Sequence, residues 1–246
     1  MANAPFDKTS SSTASPAFGG RRSFHKLSSG LLVAPSILSA DFARLGEECV
    51  RALAAGGDLL HVDVMDGHFA PNLSMGPAVC AAVHRALPDA CLDVHLMVTD
   101  PSAYIEPFQK AGASHLTFHV EVVPDPRELH ELIERIRSHG MSVGLAINPK
   151  TPAESIFPYL GAIDLALVMS VQPGFSGQAF IASVLPKVRA IRDHAPSTLR
   201  VQMDGGVASD TAHACRAHGC DVLVAASAIF GSSDYTKAIR ELRGLP

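Results

Sequence analysis

Tryptophan is absent from the 246 residues, and aromatic side chains make up only 6%. Cysteine is scarce. Cys49, Cys80, Cys91, Cys215 and Cys220 are odd in number and form no Cys-x-x-Cys pair, which argues against a disulfide scaffold and a dithiol redox motif. They read as reduced, small core residues in a cytosol-like compartment. No apolar run approaches the roughly 18–20 residues of a membrane helix, and the first thirty residues lack the apolar stretch of a secretory signal. A basic surplus is missing too. Twenty Lys and Arg stand against 24 Asp and Glu, a formal net charge of −4, which argues against a broad basic surface for nucleic acid. Neither a membrane nor a nucleic-acid partner is expected. No Gly-x-x-x-x-Gly-Lys-[Ser/Thr] occurs, so a nucleotide P-loop is not expected.

What is present is a globular composition. Hydrophobic residues reach 47% and charged residues 18%, and a single domain of this length can bury about 75% of its unfolded surface. The chain divides unequally. Residues 1–32 hold Lys8, Arg21, Arg22 and Lys26 against Asp7 alone, a net +3 that leaves −7 of the total −4 for residues 33–246. Their Ser, Thr and Ala run cannot bury enough apolar surface to offset its ordering entropy. A disordered N-terminal extension over 1–32 is expected, with an organellar transit peptide as the alternative.

From residue 31 onward, eight short apolar runs (31–35, 59–65, 91–98, 115–120, 141–147, 163–169, 199–203 and 221–225) alternate with helical segments. Asp41 is placed to cap a helix with Phe42, Leu45, Cys49 and Leu53 on its apolar face, ended at Gly56-Gly57. Asp125-Pro126 opens another helix that Gly140 closes, and Thr151-Pro152-Ala153-Glu154 reads as a capping box. Strand–helix alternation implies parallel strands with crossover helices. Eight units in about 214 residues predict one α/β domain over 33–246, a (β/α)8 TIM barrel at the small end of its range. A doubly wound open sheet is the runner-up, weakened by the lack of Gly-x-Gly-x-x-Gly after the first strand.

Two of the runs carry polar residues where a parallel strand, covered on both faces, should be apolar. The second reads Leu60-His61-Val62-Asp63-Val64-Met65 and the third Leu92-Asp93-Val94-His95-Leu96-Met97. Side chains alternate faces, so His61, Asp63 and Met65 share one face, as do Asp93, His95 and Met97, while the Val and Leu residues take the helix side. The polar faces must point into the barrel near the carboxyl ends of the strands, where barrel active sites lie. Asp204 ends the seventh run. Burying these carboxylates is costly without compensation, and His61, Asp63, His95 and Asp204 make a donor set suited to one divalent cation: zinc, iron(II), manganese or cobalt. Small residues follow the last three strands: Gly174-Phe175-Ser176-Gly177, Gly205-Gly206 and Ala226-Ser227. Such loops let backbone N–H groups approach an anion, here a phosphate on a small metabolite.

These segments together resemble the ribulose-phosphate 3-epimerase family. The resemblance rests on Ala34-Pro35-Ser36-Ile37-Leu38-Ser39-Ala40-Asp41-Phe42, His61-Val62-Asp63-Val64-Met65-Asp66-Gly67-His68-Phe69, Asp93-Val94-His95-Leu96-Met97-Val98, Gln172-Pro173-Gly174-Phe175-Ser176-Gly177-Gln178 and Asp204-Gly205-Gly206-Val207, in that order. It implies a cytoplasmic enzyme of the pentose phosphate pathway, a homo-oligomer, interconverting D-ribulose 5-phosphate and D-xylulose 5-phosphate. It further implies a cation on His61, Asp63, His95 and Asp204, with Asp63 and Asp204 as the two acid/base groups. Ser36, His95 and Asp204 would contact substrate, Met65, Met97 and Met169 would line the reacting carbons, and Gly174, Phe175, Ser176, Gly177, Gly205, Gly206, Ala226 and Ser227 would surround the phosphate. Ala226 stands where the family usually has glycine. An epimerase for a phosphorylated ketohexose such as D-allulose 6-phosphate is the nearest rival, and a catalytically dead phosphate- or metal-binding barrel a more distant one.

Overall fold

The structure, a computed structural model, describes residues 23–245. All eight expected strands form: β1 (Leu32–Pro35), β2 (Leu60–Met65), β3 (Leu92–Met97), β4 (His115–His119), β5 (Ser142–Ile147), β6 (Leu165–Met169), β7 (Arg200–Asp204) and β8 (Val222–Ala225). Every pairing is parallel, in the order β1-β8-β7-β6-β5-β4-β3-β2. A parallel bridge between Ser36 and His61 closes the ring between β1 and β2. Around it run α1 (Leu45–Ala54), α2 (Pro77–Ala86), α3 (Ile105–Lys110), α4 (Pro126–Ser138), α5 (Leu185–His194), α6 (Ser209–His218), α7 (Ser227–Phe230) and α8 (Tyr235–Arg243). This is a (β/α)8 barrel, as expected. No helix among the described residues is long and apolar enough to cross a membrane, and the five cysteines are buried and form no disulfide.

Three local expectations need correction. The segment after Asp41 starts as a 3-10 turn, Phe42–Arg44, capped by the Asp41 carboxylate. A 3-10 turn has three residues per turn, so Phe42 falls off the buried face of α1 and is 48% exposed. The crossover after β5 is a 3-10 helix, Ala153–Tyr159, interrupted by Pro158. It has no side-chain cap, because the Thr151 hydroxyl donates to Glu121 instead. Finally, the N-terminal extension ends before residue 32. Phe24 and Leu27 are buried, and Phe24 stacks on His115 at 4.4 Å between centroids. Arg200 holds this segment by donating to the carbonyl of Ser28 at 2.6 Å. Residues 23–31 therefore plug the base of the barrel. The disorder and transit-peptide expectations for residues 1–22 lie outside the described residues.

The barrel interior has two characters. On β6, β8 and β1 the inward side chains are Leu165, Leu167, Met169, Val222, Val224, Leu32 and Ala34, which pack together with Phe24. On β2, β3 and β4, apart from Met65 and Met97 at the mouth, they are polar and buried: His61, Asp63, Asp93, His95, His115, Thr117 and His119. Sequence reading placed β4 among the apolar strands, yet its inner face is entirely polar. Gly144 on β5 makes room for it: a Cβ there would lie 2.4 Å from Thr117 Oγ1 and 2.8 Å from His115 Nε2.

The base of the barrel repeats one device with a two-strand period. Asp58, Ser114, Asp164 and Asp221 precede β2, β4, β6 and β8. They accept from the backbone N–H of Val33, Leu92, Val143 and Val201 at 2.7, 3.3, 2.8 and 2.8 Å. Each aspartate also meets an arginine: Asp58 with Arg243, Asp164 with Arg137, and Asp221 with Arg192. Hydrogen bonds to charged groups of this kind contribute about 1.5–3 kcal/mol each.

Candidate active site

At the opposite, carboxyl-terminal end of the strands, the period-2 alternation of β2, β3 and β7 brings four side chains to one point. His61, Asp63, His95 and Asp204 each offer one ligand atom, and these atoms lie within 4.8 Å of one another. His61 Nε2 and His95 Nδ1 are each 3.2 Å from Asp63 Oδ1, and lie 3.9 and 3.6 Å from Asp204 Oδ2. The buried His61 Nε2 has no hydrogen-bond partner. An orphaned imidazole nitrogen beside two carboxylates is the donor geometry a divalent cation requires, so the residues fit one.

Their neighbours fix the orientation of these groups. Ser36 Oγ donates to Asp63 Oδ2 at 2.5 Å. Asp93 Oδ2 lies 2.8 Å from His61 Nδ1 and accepts from Gln202 Nε2 at 2.8 Å. Ser74 spans the edge of β2, donating to the Asp63 carbonyl at 2.6 Å and accepting from Met65 N–H at 2.9 Å. The Ser170 hydroxyl binds the carbonyls of Asp204 and Gly205 at 2.9 and 2.6 Å. Of these supports, sequence reading singled out Ser36 alone. Asp93 was visible on the inward face of β3 but received no role. Gln202 carried a signal of the same kind, a polar residue inside an otherwise apolar strand.

The electrostatics separate the two aspartates. Burial disfavours charge on Asp63, but His61 and His95 outweigh it and hold the Asp63 carboxyl far below its usual range. Asp204 is pushed the other way, by burial and by the charge of Asp63. Burial opposes charge on His61 as well, yet Asp63 and Asp93 raise its pKa well above that of a free imidazole.

A cavity of about 280 Å³ opens above this centre. It is lined by Asp63, Asp204, Met65, Met97, Met169, Gly174, Phe175, Ser176, Gly177, Gly205, Gly206, Ala226 and Ser227. His61, His95 and Ser36 lie beneath its floor and are essentially inaccessible. No lysine or arginine lines the cavity among the described residues, so an anion there would meet backbone N–H groups and hydroxyls. Gly206 sits at φ +62°, and a Cβ would approach Gln178 O and Phe180 N to 2.8 Å. That close approach packs the loop after β7 against the loop after β6. The latter is pinned across the mouth by Asn72 Nδ2, which donates to the Gly174 carbonyl at 2.8 Å. Phe175 projects from it, 57% exposed.

Fold and site together define a small (β/α)8 barrel with a His/Asp centre at the floor of a pocket that no lysine or arginine lines among the described residues. A sequence model described as the ribulose-phosphate 3 epimerase family matches residues 32–230. The chain is 46% identical over 216 residues to ribulose-phosphate 3-epimerase of Bacillus subtilis, covering 86% of this chain and 98% of that one. It is likewise 46% identical over 214 residues to the cytoplasmic isoform from Oryza sativa subsp. japonica, covering 86% and 92%. Among solved structures, the barrel superimposes on 3-hexulose-6-phosphate synthase from Salmonella typhimurium with a TM-score of 0.64 at 15% identity, covering 87% and 97%. Thiamine phosphate pyrophosphorylase from Pyrococcus furiosus gives 0.61 at 18%, covering 88% and 95%. At such identities these two show the fold alone. The chain belongs to the ribulose-phosphate 3-epimerase family, and epimerases are isomerases.

Proposed function

We propose that this protein interconverts D-ribulose 5-phosphate and D-xylulose 5-phosphate by moving a proton at C3. The observation that carries the mechanism is the pair Asp63 and Asp204. They come from strands separated by β8 and β1, and their oxygens converge within 4.8 Å at the floor of one pocket. The C3 proton lies alpha to a ketone. One carboxylate removes it from one face and the other returns a proton to the opposite face, which inverts the centre. A single base would exchange the same position without inversion. Asp63 and Asp204 share the roles of base and acid and exchange them in the reverse direction.

A divalent cation on His61, Asp63, His95 and Asp204, whether zinc, iron(II), manganese or cobalt, would supply Lewis-acid stabilisation of the negative charge that develops on the substrate oxygens. Met65, Met97 and Met169 surround the reacting carbons with polarizable thioethers that offer no strong proton donor, which limits stray protonation of the enediolate. Residues 174–177, Gly205, Gly206, Ala226 and Ser227 hold the phosphate through backbone N–H groups and hydroxyls. A cytoplasmic, self-associating enzyme completes this reading.

The test is isotopic. In deuterated water, cation-replete protein is expected to carry deuterium into C3 of xylulose 5-phosphate formed from ribulose 5-phosphate. Absence of exchange would overturn the proposal. Side-by-side turnover of D-allulose 6-phosphate separates the pentulose reading from the ketohexose one, and faster turnover of allulose 6-phosphate would reverse the assignment.

A further inference from the structure

The inner face of β4 carries a histidine that the mechanism above does not use. His119 is fully buried, with Nε2 2.9 Å from His95 Nε2 and Nδ1 3.1 Å from Glu121 Oε2. Its ring lies against His95 at 5.0 Å between centroids and against Phe69 at 4.6 Å. We propose that His119 and Glu121 are positioning residues that set the tautomer of His95, so that its Nδ1 presents a lone pair to the cation. This inference rests on reading His61, Asp63, His95 and Asp204 as a cation centre.

The proton on each ring is fixed by the partners that run outward from that centre. For His61 the direction is settled at once. Its Nδ1 faces the Asp93 carboxylate at 2.8 Å. An ionised carboxylate can only accept, so Nδ1 carries a proton, and Nε2 is the nitrogen that gives its lone pair to a bound cation. His95 is bound the other way round, with Nδ1 3.2 Å from Asp63 Oδ1 and 3.6 Å from Asp204 Oδ2; without a cation that nitrogen would itself donate to Asp63, and to ligate a cation it must turn a lone pair inward. Its Nε2 meets another imidazole, and a contact between two ring nitrogens can run in either direction. Glu121 decides which. Because its carboxylate only accepts, His119 carries its proton on Nδ1. His119 Nε2 then accepts, His95 Nε2 carries the proton that it donates, and His95 Nδ1 is left with a lone pair. The partner on the far nitrogen of a ligating histidine commonly fixes its tautomer in this way. Here two groups in series do what Asp93 does alone for His61.

Glu121 is itself held in place. Its Oε1 accepts from Asn148 N–H at 2.7 Å and from the Thr151 hydroxyl. Lys187 ties that loop down by donating to the carbonyls of Asn148, Pro149 and Thr151 at 3.1, 2.7 and 2.6 Å. Despite burial, the hydrogen bond from His119 helps hold Glu121 ionised, with a pKa of about 2.

Glu121→Gln tests the relay because it preserves shape and inverts polarity. The Asn148 N–H is a fixed donor, so the glutamine oxygen faces it and the amide NH2 faces His119 Nδ1. The His119 proton then moves to Nε2, directly opposite the N–H of His95. The full-length protein is stripped of metal, and cobalt(II) affinity is measured by titration of its visible absorption. Loss of a tautomer-setting partner typically costs 10- to 100-fold in metal affinity, so E121Q is expected to bind about 10- to 100-fold more weakly. The metal-free thermal midpoint should move little. In the zinc-loaded wild type, 15N-resolved spectra of the histidine rings should show His119 protonated at Nδ1 and His95 at Nε2. Wild-type cobalt affinity in E121Q, or a His119 protonated at Nε2 in the wild type, would overturn the relay while leaving the cation centre standing. Wild-type protein that takes up no cobalt or zinc would overturn both readings. If E121Q fails to fold, the wild-type spectra still decide.

Discussion

At the base of the barrel, Asp58, Asp164 and Asp221 each sit between a backbone N–H and an arginine. At the mouth, Asp63 and Asp204 face each other across two histidines, with no lysine or arginine lining their pocket among the described residues. The same residue type is thus used in two ways within one barrel. The base carboxylates are neutralised locally and tie successive strands together. Those at the mouth are brought close to a like charge, at a cost the rest of the fold must carry. Functional sites are commonly the places where a fold holds such unfavourable arrangements.

Removing a carboxylate should affect activity at the mouth and stability at the base. Asp63→Asn and Asp204→Asn carry the largest expected effect: turnover should fall by about a thousandfold or more, equivalent to at least about 4 kcal/mol of activation free energy. The metal-free thermal midpoint of Asp204→Asn should stay level or rise, because burial and the charge of Asp63 oppose ionisation there, whereas that of Asp63→Asn should fall, because His61 and His95 stabilise that carboxylate. Near-normal turnover in either variant would remove the two-carboxylate mechanism. A marked drop in the midpoint of Asp204→Asn would remove the contrast.

Next in size is the plug. Phe24→Ala opens space beside His115 and should cost about 3–5 kcal/mol of unfolding free energy, read from urea denaturation, with turnover of the folded fraction unchanged. A stability loss below about 1 kcal/mol would show that residues 23–31 merely rest on the base.

Asp164→Asn leaves Val143 N–H and Arg137 without a charged acceptor. It should cost about 1.5–3 kcal/mol with kcat and KM unchanged. A kcat defect without a stability loss would mean that the base communicates with the mouth and is not merely structural.

The smallest effect belongs to Asp66, in the loop after β2. Burial opposes its charge, but hydrogen bonds from Thr99, His68 and Phe69 hold its pKa at about 2. A folded pKa below the unfolded one contributes stability that is present above about pH 4 and lost as pH falls toward 2. The difference in thermal midpoint between wild type and Asp66→Asn should therefore shrink over that range. A difference independent of pH would assign the contribution to shape and not to charge.

Much of this architecture was legible beforehand, and the misreadings have physical causes. The eight strands stand out because parallel strands covered on both faces must be apolar. His61, Asp63, His95 and Asp204 stand out because they violate that rule at strand ends. His115, Thr117 and His119 violate it too, in the same alternation, but no carboxylate marks them, so β4 reads as one more apolar run. The plug was hidden because a single buried Phe24 does not make a pattern. Thr151 reads as a helix cap locally, but Glu121 from the previous crossover reaches its hydroxyl first. The Asp–Arg clasps were out of reach because their partners are distant in the chain: Asp58 and Arg243 are 185 residues apart.

By itself, the order of residues determined the barrel, its strand count and the four side chains of the centre. These follow from local alternation, with a period of 2 along a strand and a punctuated helix after it. Tertiary structure alone decided which groups stand behind those four, which nitrogen of each histidine faces inward, and which carboxylates are neutralised. Those properties depend on distances between strands that are remote in sequence. Once the barrel closes, a carboxylate meets either an arginine at its base or another carboxylate at its mouth.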